Sequence, residues 1–140
     1  MNAFWRNWMW GWCAAVGLFG AVLALGGLPA TGEPARLLLD VLNGPAPVAL
    51  DGALRFSVAV LGAVTIGWSL TLAAAIRAAL ELGEGAGPVW RLTLAGVVGW
   101  FVIDSILSVA TGFALNVVPN LILLATFLWP LQRSGALRSA

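Results

Sequence analysis

The 140-residue chain has no histidine and a single cysteine, and only 9% of its residues are charged; its seven basic residues are all arginine. Each shortage removes a class of chemistry. Haem held through histidine, histidine-bound copper or zinc, and a cluster held by four cysteines all lack their ligands. No cofactor or metal is therefore expected. A hydroxyl or thiol nucleophile would have no imidazole beside it to act as base. An enzyme acting on lipid or quinone is thus the third of three readings, and the chain is expected not to be an enzyme. A net charge of +1 supplies no basic face for nucleic acid. A soluble domain would carry about 25% charged residues, so a water-soluble fold is excluded too. Cys13, alone in an apolar run, reads as a small buried hydrophobe.

What the chain does have is apolar length: 61% of it is hydrophobic. Four runs, about 12–28, 55–77, 89–112 and 117–131, approach or reach the roughly 20 residues a helix needs to cross a bilayer. The expected fold class is an all-α integral membrane protein. It is a single-domain four-transmembrane-helix bundle, with a short amphipathic helix outside the cytoplasm between the first two spans. The expected partners are membrane lipid and a second copy of the chain or a larger membrane complex.

Residues 1–12 hold Trp5, Trp8, Trp10 and Trp12 beside Arg6. Tryptophan favours the headgroup level, so an interfacial belt is expected; an aromatic cage for a cationic ligand is the sharper alternative. The first span is expected to be retained, because its front is Trp-rich where a secretory signal would be basic. Gly17, Gly20, Ala21 and Ala24 place small residues where another helix backbone can approach closely. Leu28-Pro29-Ala30-Thr31-Gly32 resembles a sortase sorting motif, but it follows a span instead of preceding one, so no sorting function is expected.

In the surface segment 30–52, Pro34 suits a helix start and Gly44 a stop. Leu38, Val41 and Leu42 should share one side, and Arg36 and Asp40 form an i, i+4 pair on another. Asp51 should cap the following helix. Residues 82–88 are a hydrophilic turn, and Pro119 sits in the first turn of the last span.

Arg6, Arg77, Arg91, Arg133 and Arg138 would lie on one side of a four-span protein, with Arg36 and Arg55 on the other. The positive-inside rule then puts both termini in the cytoplasm of a bacterial inner membrane.

The run 89–113 carries the only acid inside an apolar run, Asp104. Counted from Arg91, Asp104 is 13 positions into the third span; counted from Arg133, Asn120 is 13 positions into the fourth. At 1.5 Å per residue both lie about 20 Å from that interface. The same count levels Ser108 with Asn116 and brings Thr65 of the second span close to the first pair. A candidate polar layer of Asp104, Asn120, Ser108, Asn116 and Thr65 follows. An ionised aspartate at this depth costs at least about 2.5–3.5 kcal/mol. Arg55, the possible counter-charge, is about 13 Å shallower. A neutral Asp104 donating a hydrogen bond to Asn120 is the expected arrangement.

Two functions of different class remain. The first is a structural or accessory component that packs with itself or within a larger membrane complex. The second is a small proton- or cation-coupled carrier using Asp104.

Overall fold

A computed structural model describes residues 1–45 and 47–137. Ala46, within the expected surface segment, and Arg138, one of the arginines counted for orientation, lie outside the described residues. Among the described residues there are five α-helices and no strand: α1 (Ala3–Leu25), α2 (Glu33–Asn43), α3 (Gly52–Leu82), α4 (Gly87–Ala110) and α5 (Val117–Ser134). Short 3₁₀ turns, Gly83–Ala86 and Ala114–Asn116, precede α4 and α5.

The helix ends follow local chemistry. The Asn2 side chain accepts from the Trp5 amide at 3.0 Å, so α1 begins at Ala3, nine residues before the expected span. The Trp-rich front is therefore the first turns of the helix itself. Asp51 caps α3 as expected, accepting from the Leu54 amide at 2.8 Å. Beyond Arg77, α3 continues to Leu82, and the added turn is tied by Arg77 Nε donating to Glu81 at 2.8 Å. Pro34 stands in the first turn of α2, and Gly44 ends it at a φ of 86° that only glycine adopts readily.

Three continuous helical stretches among the described residues are long and apolar enough to cross a membrane: Ala3–Leu25, Gly52–Ala110 and Ala114–Ser134. The middle stretch is not one rod. Trp68 and Trp100 stand 32 positions apart, which would separate them by about 48 Å along a straight helix. Their ring centroids are 5.4 Å apart. The chain therefore doubles back at Gly83–Ala86, and α3 and α4 form a hairpin.

Four long helices share one core. Met9 of α1, Ile76 of α3, Val97 of α4 and Phe127 of α5 are each fully buried in a single cluster. Cys13, as expected, is buried within it. The tightest pairing is α1 with α3, and glycine permits it. A methyl on Gly20 would lie 2.9 Å from the Gly62 carbonyl oxygen, and one on Gly17 would lie 2.8 Å from the Ser69 hydroxyl. At Gly62 a methyl would fall on the backbone of Ala24 and the carbonyl of Gly20.

Between α1 and α5 the contact is polar at its centre. Pro130 lies inside α5 and has no N–H for the carbonyl four residues back, Thr126. The Trp8 indole donates to that carbonyl at 2.9 Å. One turn deeper, Trp12 donates to the Leu123 carbonyl at 3.1 Å. Trp12 was expected in an interfacial belt; it is 5% exposed and belongs to the core. The α1 register that aims Trp8 at α5 carries Trp12, four residues on, in the same direction.

Helix α2 packs by Ala35, Leu38 and Leu39 against Leu23 of α1 and Val58 of α3. Val41, expected beside Leu38, points away and is 68% exposed, because α2 turns its 35/38/39 face inward and 37/41 outward. Arg36 pairs with Asp40 as expected, and also with Glu33 at 2.5 Å. The hydrogen bonds from Arg36 hold the exposed Glu33 carboxyl below its ordinary value of 4.5. A lowered folded-state pKa contributes stability above the ordinary carboxylate range and loses it as pH falls through the lowered value. The amide chemical shifts of residues 33–43 are accordingly expected to move toward coil on acidification through and below the ordinary carboxylate range, and Glu33→Gln should shrink that transition. An unchanged transition in the variant would remove Glu33 from the account.

Candidate functional site

The polar residues gather in the α4–α5 hairpin. Asp104, Ser105 and Ser108 project from the last two turns of α4. Asn116 ends the 3₁₀ turn, and Asn120 lies in the first turn of α5. Gly112, with φ 91°, lets the connection reverse within a few residues. That short reversal pairs the two helices antiparallel and puts Asp104 opposite Asn120.

Asn120 Nδ2 donates to Asp104 Oδ2 at 2.5 Å, and Asn116 Nδ2 donates to the same oxygen at 2.9 Å. Asn116 Nδ2 also reaches Ser108 Oγ at 2.9 Å, and Asn120 Nδ2 reaches Ser105 Oγ at 3.2 Å. Asn120 is 4% exposed and Ser108 8%, whereas Asp104 and Asn116 are half-buried. The direction of the central bond differs from expectation: both amides donate and the carboxyl accepts. Both donors are neutral amides, and among the described residues no arginine side chain hydrogen-bonds Asp104. Asp104 Oδ1 receives no hydrogen bond among the described residues.

Two expected members lie elsewhere. Thr65 Oγ1 donates to the Leu61 carbonyl of its own helix at 2.8 Å. A hydroxyl inside a helix has that acceptor within reach at no cost in order, and α3 packs on α1 and α4, not on α5. Arg55 donates to the Gly26 carbonyl at 3.2 Å. It ties the C-terminal end of α1 to the start of α3, where a cation also meets the negative end of the helix dipole. Ser105 is the member the depth count missed, although it adjoins Asp104 and a count within one residue would have admitted it.

Helix α2 packs beside the 3₁₀ turn that presents Asn116, so the cluster lies beneath that surface helix. Among the described residues, no group of three histidine, cysteine, aspartate or glutamate side chains could hold a metal ion. Chemically, the cluster can fix the register of two helices, and through the unfilled Oδ1 it can accept a proton or a small cation.

No protein-family model matches the chain, and no curated protein or solved structure matches it either. Function is therefore argued from the site alone.

Proposed function

We propose that this chain is a four-span protein of a bacterial inner membrane, with both termini cytoplasmic. Its role is that of a structural or accessory component, packing with itself or within a larger membrane complex. Asp104 serves as the hub of a clasp that sets the α4–α5 register. One observation carries this reading: among the described residues, every side-chain hydrogen bond of Asp104 comes from within its own hairpin, from Asn116 and Asn120. A register clasp needs those bonds and no others, whereas a conduction path needs polar groups on further helices. The orientation is supported by Arg6, Arg77, Arg91 and Arg133 at one end of the bundle against Arg36 and Arg55 at the other. Leu92, 77% exposed, and Phe56, 71% exposed, are outward faces for lipid or a partner helix.

A carrier reading stays open through one specific feature, the unfilled Oδ1. The two readings separate on one pair of variants. Under the clasp reading Asp104→Asn keeps an acceptor oxygen and costs about 0.6 kcal/mol, the average for an interhelical bond in membranes. Asp104→Leu removes the acceptor that both amides share, leaves the buried Asn120 amide only its longer bond to Ser105, and costs about 1–3 kcal/mol. Unfolding in mixed micelles measures both. Proton or cation flux into proteoliposomes should be absent and unaffected by Asp104→Asn. Flux that vanishes in a well-folded Asp104→Asn protein would establish the carrier instead. Purification in mild detergent as a strict monomer without any companion would count against the accessory role.

A further inference from the structure

We propose that the end of the bundle formed by the start of α1 and the last turns of α5 binds the phosphodiester headgroup of an acidic phospholipid. Four rings gather there: Phe4, Trp5 and Trp8 of α1 with Trp129 of α5. The centroid separations from Trp129 are 6.0 Å to Trp5 and 5.9 Å to Trp8. The group stays open to its surroundings, with Trp129 49% exposed and Phe4 61%.

The indole donors divide by role. Trp8 gives its N–H to the Thr126 carbonyl. The indole N–H groups of Trp5 and Trp129 make no hydrogen bond among the described residues. Arg6 follows Trp5 directly, and Arg133 stands one turn beyond Trp129 on α5. Both arginines are exposed and make no ion pair among the described residues.

The site therefore offers indole donors beside apolar ring faces, with positive charge from Arg133 on the α5 face of Trp129 and from Arg6 at the same level of α1. That combination suits an anionic phosphodiester whose glycerol and acyl carbons lie against the rings. It does not suit a cationic ligand, since Arg133 shares the α5 face of Trp129. The opposite end differs in kind. Arg36 is held between Glu33 and Asp40, and Arg55 is spent on the Gly26 carbonyl. The carboxylates at the ring-bearing end are Glu81, in the last turn of α3 and taken by Arg77, and Glu84, in the turn that joins α3 to α4.

The inference takes membrane embedding as given, and the two fail separately: a chain that stays soluble without detergent sinks the embedding, whatever it binds. The test uses the full chain in neutral detergent, with native mass spectrometry counting bound phosphatidylglycerol against phosphatidylcholine. Phosphatidylglycerol should bind preferentially, and inorganic phosphate should not displace it. Arg6→Gln and Arg133→Gln should each weaken it about fivefold and together about thirtyfold. Arg91→Gln, on α4, which carries none of the four rings, should leave it nearly unchanged. A double lysine variant should retain most of the affinity, which separates loss of charge from loss of fold. Equal binding of phosphatidylcholine, displacement by inorganic phosphate, or equal loss in Arg91→Gln would each overturn the assignment.

Discussion

Gly62→Leu is expected to leave no stable α1–α3 pair, and Gly62→Ala to lower stability by about 2 kcal/mol. The reason is what a side chain at Gly62 would meet. Its Cβ would fall on the main chain of Ala24 and Gly20, and main chain cannot rotate aside as the tip of a flexible side chain can. The helices would have to separate. Separation would open the neighbouring contacts, where Gly17 faces Ser69 and Gly27 faces Ala59. Dispersion across so close an approach falls off within an ångström, and under the proposed membrane embedding no hydrophobic force restores it. Gly67 is the control. It lies on the same helix with nothing within 4 Å of an added methyl, so Gly67→Ala should be neutral or stabilise by up to about 1 kcal/mol through helix propensity. Unfolding in mixed micelles compares the two. Equal effects at positions 62 and 67 would mean that the close approach is absent.

Trp8→Phe is expected to cost about 1–3 kcal/mol in the natural chain and much less in a Pro130→Ala background. Proline at 130 leaves the Thr126 carbonyl without its intrahelical donor, and the Trp8 indole supplies one from α1 at 2.9 Å. Phenylalanine keeps most of the ring and removes the N–H, so the loss reports an orphaned carbonyl. Alanine at 130 restores a backbone donor within α5 and relieves the dependence on Trp8. The double-mutant cycle should therefore show a coupling of about 1–2 kcal/mol. Strict additivity would show that the indole and the proline act independently.

Much of this was legible in residue order, and the parts that were not share a physical cause. Apolar length marked the long helices, Asp51 marked the start of α3, and depth counted from Arg91 and Arg133 brought Asp104 level with Asn120. Those features depend on one helix at a time or on one tight connection. Features that depend on how helices face each other were not legible. Small residues at 17, 20 and 24 announced a close approach, but nothing in the order of residues named Gly62 as the other half. Trp12 reads as interfacial because composition cannot report that it faces α5, and nothing in the order of residues shows that Pro130, more than a hundred residues away, frees a carbonyl for the Trp8 indole. Thr65 matched the polar layer in depth and missed it in azimuth, since depth is additive along a helix and facing direction is not. Asp104 was expected to donate because it was weighed as a single buried acid, whereas two converging amides make it the acceptor.

The central claim is that α3 and α4 cross the membrane as separate rods, so that their connection and the α4–α5 connection emerge on opposite sides. Single cysteines at Gly85→Cys and Ala114→Cys, in a Cys13→Ala background, test it with a membrane-impermeant maleimide on intact cells. The account predicts labelling at 114 from outside and labelling at 85 only after permeabilisation. Labelling of both positions from the same side would contradict it.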